Sequence, residues 1–453
     1  MTASRPEVDS APSGTDAEPS RIRIRPGRWL APVLILALST IAVLVYGGAY
    51  PTISPYDEMA HLDALHQALD LDVVRRGERI GVEPIREAAC AGAEFEDSGL
   101  PPCPRPGRPP DSLPVVFTNA DLHAPVYYFV SAPFAALFRW LGADTVLQAG
   151  RAVGGLWLGL GLLLLWKVGD AWAIDRRARI IVLLLVGSAP VVLHASSIVN
   201  PDATALAGGA AVLLAAIRWE QRRWSPMVPI LVAFLAGALR STSALAIGAV
   251  AVYLLLRGMG DARDVRTTRR RHVWMAAAVA VVGAISVLGW AALREVLAVS
   301  EVAPTVEFFR GMSLGFEEVF SQTFALLSPF RPAVLAGPIS GSEGPGLLIT
   351  GLVNVTVLTA CFGSLVYWWD ARRESAIGVA GSLAMLASGS LLVVANYAVF
   401  GVYFPIPGRY GLSLLPILGL AVAARLRHFP AIFLVGALAA ASVIYAAATL
   451  LWP

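Results

Sequence analysis

Charge is what this sequence has least of. Only 15% of its 453 residues are Asp, Glu, Lys or Arg, while 56% are hydrophobic; soluble globular chains carry roughly 25% charged residues. With a mean hydropathy of +0.65, that deficit excludes an ordinary soluble domain and describes a polytopic membrane protein. Other absences narrow the function. There is no G-x-x-x-x-G-K-[ST] loop to cradle a nucleotide, and no basic tract interleaved with aromatics to bind nucleic acid. The three cysteines include no C-x-x-C pair, so a zinc site is not expected. No repeated motif marks the internal symmetry common in transporters. The net charge of +3 says little, because in a membrane protein the placement of charge outweighs its sum.

What is present is apolar sequence in lengths that fit a bilayer. Windows of roughly 17 to 25 residues are the unit that spans one. Eleven occur, near 29–48, 148–167, 179–195, 202–218, 226–239, 241–257, 273–293, 345–368, 375–397, 409–425 and 430–451. The expected fold is therefore all-α with about 11 transmembrane helices. The weakest pair is 226–239 and 241–257, where the first run is short and Arg240 interrupts. Residues 1–28 are polar and rich in Pro, Ser and Ala, and they end in four arginines. They read as a disordered cytoplasmic tail ahead of a transmembrane domain over 29–453. The run after them is too long for the apolar part of a signal peptide and is expected to be retained.

Arginine sets the orientation. With a cytoplasmic N-terminus, alternate loops should be basic. They are, through Arg176, Arg177 and Arg179, then Arg218, Arg222 and Arg223, then "RGMGDARDVRTTRRRH" at 257–272, then Arg372 and Arg373, then Arg425 and Arg427. The alternation holds only if 125–141, "PVYYFVSAPFAALFRWL", lies along the outer surface instead of crossing. Two long loops then face outward, 49–147 and 294–344, and loops of that length are usually functional. Within the first, Met59, Leu62, Leu65, Leu69 and Val73 recur at helical spacing and predict an amphipathic helix over 55–74. Cys90 and Cys103 share this external loop, where disulfides persist, and are expected to pair; Cys361 sits alone in a span.

The candidate polar groups gather at the outer ends of the spans. They are Asp57, Glu58 and His61 in "SPYDEMAH", then His123, Asn200 and Asp202 in "SSIVNPDA", Arg240, and Arg409 with Tyr410 in "PIPGRYG". Each also has an ordinary reading. Ser54, Pro55 and Asp57 can simply start a helix. His123 can anchor an interfacial helix. "NPD" is a natural turn, and Arg240 and Arg409 can snorkel to an interface. Their shared level on this topology is what points to function.

Four of these pieces carry a resemblance. "PYDEMAH" after the first span, "HAPVYYFVSAPF" before the second, "NPDATA" after the third and "GRYGLSLLPIL" near the end resemble, in order and spacing, the bacterial membrane-protein family called domain of unknown function 2142. That family lies within the GT-C glycosyltransferase superfamily. Two positions depart from its pattern: Tyr56 stands where a second proline is common, and Ala124 where "HPP" is common. The resemblance covers the chain from about residue 29 onward. It implies a membrane glycosyltransferase of the bacterial cytoplasmic membrane, with its site on the outer face. Such an enzyme moves a sugar from a polyprenyl-phosphate carrier to an envelope glycan, lipid or protein. Asp57 or Glu58 would be the catalytic carboxylate, and His61, His123, Asn200, Asp202, Arg240, Arg409 and Tyr410 would surround the substrate. No cofactor is required, although two adjacent carboxylates could hold a divalent cation completed by waters and phosphate. Two other classes fit the same composition: a transporter or flippase of a lipid-linked saccharide, and a non-catalytic scaffold for envelope assembly.

The arginine alternation makes a topological prediction. Single cysteines placed at 176, 222, 270, 372 and 425 should resist a membrane-impermeant thiol reagent in intact cells, and those at 57, 310 and 409 should react. External labelling at position 270 would overturn the orientation.

Overall fold

The computed structural model describes residues 30–55, 57–92, 100–103, 115–260, 265–300, 313–330, 344–366, 372–400, 403 and 405–451. The polar N-terminal segment 1–28, Tyr56, Arg310 and the stretches 301–312 and 331–343 of the second long loop lie outside them. Among the described residues the chain is helical, and extended backbone pairs only at one bridge between Arg79 and Phe117. The helices are α1 (Leu30–Ala49), α2 (Glu58–Leu69), α3 (Val82–Ala91), α4 (Val126–Trp140), α5 (Val146–Ala171), α6 (Arg176–Gly187), α7 (Pro190–Ser197), α8 (Ala205–Glu220), α9 (Met227–Leu239), α10 (Ala244–Gly260), α11 (Val265–Val296), α12 (Phe316–Gln322), α13 (Gly344–Val366), α14 (Arg372–Phe400), α15 (Leu415–Arg425) and α16 (Phe429–Leu451).

Among the described residues, eight helical stretches are long and apolar enough to cross a membrane, and α6 with α7, bent by 61°, make a ninth if the bent pair is one span. The bend falls where Pro190 opens α7 and cannot donate the backbone bond that would continue α6. The chain is thus a multi-pass membrane protein. Leu34, Leu38, Ile41 and Leu44 on α1, and Phe433, Leu434 and Ile444 on α16, stand exposed as lipid-facing side chains do. Nine of the eleven apolar runs are accounted for in this way. The other two, 226–239 and 409–425, fold differently. The first is α9, whose 13 residues reach only about 20 Å, short of a hydrocarbon core of roughly 30 Å. The second is a 3-10 turn over Gly408–Leu414 leading into the 11-residue α15. Residues Leu415–Ala424 of α15 are all buried, so it packs in protein instead of lipid.

The two ends of the bundle differ in chemistry. At one end the arginines of alternate loops converge. Arg179 and Arg218 reach Asp170 at 3.2 and 3.8 Å, Arg257 reaches Glu220 at 2.6 Å, Arg271 donates to the Trp219 carbonyl at 2.9 Å, and Arg427 pairs with Glu374. The opposite end is roofed by α2, α3 and α4, which form their own apolar cluster with Leu62, Leu65, Ile85, Tyr127, Trp157 and Val199. The segment 125–141 is part of this roof: α4 has 15 residues with Pro133 inside and packs against α2 and α5. Glu87 of α3 caps α5 by accepting the Val146 and Leu147 N–H groups at 3.2 and 2.7 Å, a placement that also suits the helix dipole. Cys90 on α3 and Cys103 are disulfide-bonded, their Cα atoms 4.5 Å apart. The two long loops touch where Val299 N–H donates to the Arg76 carbonyl at 2.9 Å and Arg76 pairs with Glu295.

The helix expected over 55–74 is shorter, at Glu58–Leu69. Its C-terminus is set by Leu71, whose φ of 61° is left-handed and turns the chain away. Its N-terminus is Asp57, also left-handed at φ 62°, and no side chain caps it. Ser54 is therefore not the cap; its N–H donates at 2.7 Å to the Glu58 carboxylate.

Close approach of α5 and α7 rests on Gly154, where a Cβ would fall onto the Ser196 carbonyl oxygen. At Gly248 on α10 a Cβ would meet nothing within 4 Å. We therefore expect Gly154→Leu to cost more than the ~1–3 kcal/mol of ordinary overpacking, because the obstacle is backbone and cannot rotate away. Gly248→Leu should be neutral. Melting of the two purified variants checks this, and equal stability would be inconsistent with the packing described.

Candidate functional site

Beneath the roof lies a cavity of about 260 Å³. The sequence-selected residues Asp57, His61, His123, Asn200, Arg240, Arg409 and Tyr410 all line it. They arrive from distant places: the N-terminus of α2, the turn before α4, the loop after α7, the C-terminus of α9 and the 3-10 turn before α15. Arg240 sits at that C-terminus because α9 breaks there, with backbone extended at φ −154° and ψ 121° before a short 3-10 turn over Ser241–Ser243.

Asp202 lies under the cavity at 2% exposure and organises it. It is the second residue of the 3-10 turn Pro201–Thr204, and Asn200, which caps that turn, accepts its N–H on Oδ1 at 2.9 Å. One carboxylate oxygen lies 2.7 Å from Arg240 and the other 3.1 Å from Arg409. Both guanidiniums also lie against the Tyr410 ring, at 5.4 and 5.6 Å from its centroid. One carboxylate thus holds two guanidiniums in the lining of the cavity. Arg240 further donates to His123, 2.6 Å from Nε2. Arginine has only donors, so that ring nitrogen accepts and the imidazole is neutral.

Asp57 lines the same cavity as Arg240 and Arg409. Its side chain is exposed to the cavity, and Asn119 Nδ2 donates to Oδ1 at 2.6 Å. The left-handed backbone at Asp57 releases the carboxylate from a capping role, and Asn119 takes its place as partner. Glu58 is placed otherwise. About 100° further round the helix, it is 0% exposed and does not line the cavity. Arg151 of α5 grips it at 2.8 and 2.7 Å, and the N–H groups of Ser54 and Val199 donate at 2.7 and 2.9 Å. Arg151 also holds the carbonyls of Tyr50 and Thr52 at 2.8 and 2.7 Å. The two carboxylates therefore do not border one cavity, and they do not form a shared cation site. No group of three or more His, Cys, Asp and Glu side chains is placed to hold a metal among the described residues.

Sequence reasoning passed over several contributors. Arg294 lines the cavity and is held by Asp121 at 2.5 Å, while Trp290 Nε1–H donates to the Asp121 carbonyl at 3.0 Å. Asp121 lies within "NADLHAP", two residues from His123, and that proximity was its only signal. Asn119 and Arg151 gave none, since their partners lie 62 and 93 residues away.

His61 lies 2.6 Å from the Tyr128 hydroxyl, and its ring is 5.5 Å from that of His123. Burial, followed by the charges of Arg240 and Arg409, holds His61 well below the ordinary histidine range. Burial and then Arg240 do the same to His123. A depressed native value favours folding fully above the unfolded value of about 6.5 and progressively less as pH falls below it, because the unfolded chain takes up protons the native site refuses. The His61→Gln, His123→Gln double variant should accordingly lose less stability than the wild type between pH 7 and pH 5. Parallel slopes for the two proteins in thermal melts would mean these rings are protonated in the native state.

No protein-family model matches the chain, and no curated protein matches it. The family resemblance stands on its four motifs alone. Among solved structures, the cryo-EM structure of the arabinofuranosyltransferase AftD from Mycobacteria aligns with 93% of this chain at a TM-score of 0.45 and 17% identity. The chain spans 28% of that protein's length.

Proposed function

We propose that this protein is a membrane glycosyltransferase that takes a sugar from a polyprenyl-phosphate carrier and passes it to an acceptor of the bacterial cell envelope. By the positive-inside rule the arginine-rich end faces the cytoplasm, and the cavity under α2 and α4 opens on the outer face of the cytoplasmic membrane. The observation that supports the reading is one cavity lined both by the accessible Asp57 carboxylate and by Arg240 and Arg409, the two guanidiniums that Asp202 holds.

That arrangement supplies what sugar transfer from a lipid phosphate needs. The acceptor hydroxyl gives its proton to Asp57 as its oxygen attacks the anomeric carbon. The bond from that carbon to the phosphate oxygen breaks, and its electron pair leaves with the lipid phosphate. Arg409 and Arg240 receive the developing negative charge, for which planar guanidiniums are suited. Asn119 occupies one Asp57 oxygen and leaves the other for the proton. Attack from the side opposite the leaving group inverts the sugar. Glu58 takes no part in proton transfer. It fixes α2 to α5 and so sets where Asp57 stands.

The adjacent carboxylates should separate cleanly in mutants. Asp57→Asn should fold with wild-type stability and lower turnover by roughly 10²–10⁴. Glu58→Gln leaves Arg151 without its counter-charge and should cost about 3–5 kcal/mol of stability. Complementation of a deletion strain's envelope-glycan defect at matched expression, alongside melting of the purified variants, reads both. Full complementation by Asp57→Asn would end the glycosyltransferase reading for this residue.

A further inference from the structure

The arginine-rich end holds a second cavity, about 530 Å³ in volume, which the proposed reaction does not use. Its polar wall comes from the starts of three helices: Asp175 and Arg177 at the head of α6, Arg373 and Glu374 in the first turn of α14, and Arg427 just before α16. Trp172 and Leu426, both buried, give it an apolar floor.

The carboxylates of this wall are committed. Asp175 caps α6, accepting the Arg177 N–H at 2.8 Å, and Glu374 pairs with Arg427. Arg177 and Arg373 have no carboxylate partner among the described residues. The Arg373 guanidinium lies over Trp172, 4.1 Å from the ring centroid, and its buried Nε has no hydrogen-bond partner. Stacking fixes the guanidinium plane at little cost to its donors, which hydrogen-bond from the edge. Three guanidiniums against two carboxylates leave one surplus positive charge, and helix starts add partial positive charge of their own. A cavity with these properties is short of an anion bearing several acceptor oxygens. Its volume lies within the roughly 300–1,000 Å³ of small-ligand sites, and its floor accommodates an apolar part beside the charge.

We infer that this cavity binds a phosphate group through Arg373 and Arg177, with the rest of the ligand resting on Trp172 and Leu426. The headgroup of an anionic phospholipid and a soluble phosphate compound share this chemistry. The inference is independent of the role given to Asp57.

The test uses the full chain in nanodiscs of pure phosphatidylcholine, read by thermal unfolding. One arm titrates inorganic pyrophosphate; the other replaces part of the lipid with phosphatidylglycerol. A rise in unfolding temperature with pyrophosphate assigns a soluble phosphate, and a rise with phosphatidylglycerol alone assigns a lipid headgroup. In either case Arg373→Gln should weaken the response about tenfold, the loss expected for a charge-assisted hydrogen bond, and Arg373→Lys should recover part of it. Arg177→Gln, at an exposed position, carries the comparison if Arg373→Gln does not fold. No response of the wild type to either probe, or an undiminished response in a folded variant, overturns the inference.

Discussion

One buried carboxylate holds the site together. Asp202 sits at 2% exposure between Arg240 and Arg409 and so ties the loop after α7 to the end of α9 and to the turn before α15, the last of these 207 residues away. Taking such charges out of water is costly, and breaking a buried pair typically costs ~3–5 kcal/mol. That expense is hard to explain as reinforcement of an apolar bundle, which well-packed aliphatic side chains would stabilise at least as well. It is intelligible as a means of holding two guanidiniums, each against the Tyr410 ring, in the lining of the cavity.

A second buried pair fixes the start of α2, where Asp57 stands. Glu58 and Arg151 bind the segment after α1, the start of α2, α5 and the loop after α7 into one unit. Its consequence is a division of labour between neighbours in sequence: Glu58 faces the bundle and is saturated with donors, while Asp57 faces the cavity with one recorded donor, Asn119. The left-handed backbone at Asp57 is unusual for a residue other than glycine, and residues held in such conformations cluster at functional sites.

Much of this was legible in the sequence. Apolar runs predicted the all-α membrane fold because a bilayer leaves few ways to satisfy a backbone. Arginine alternation placed Asp57, His123, Asn200, Arg240 and Arg409 at one end, and the structure brings these residues around one cavity. What sequence did not resolve is which way each carboxylate of the pair points. That depends on where α2 starts, and the start is fixed by Arg151, Val199 and Asn119, all far away along the chain. Helix length misled for a related reason: Val73 continues the apolar spacing of α2, but Leu71 turns the backbone away first. Arg294 gave no signal in the sequence because its partner, Asp121, is 173 residues distant.

The two ends of the molecule thus present different anion chemistry. The cavity beneath α2 and α4 combines a carboxylate with two arginines, as the proposed group transfer requires, while the arginine-rich end offers arginines whose nearby carboxylates are committed elsewhere. The account stands or falls on the first of these. The most direct measurement is the affinity of the purified protein, in nanodiscs, for a short-chain polyprenyl phosphate lacking the sugar. Arg409→Gln should weaken binding by about tenfold or more, and Asp57→Asn should leave it unchanged or tighter, since it removes a negative charge. Equal binding by wild type and Arg409→Gln would contradict the assignment of this cavity to a lipid phosphate.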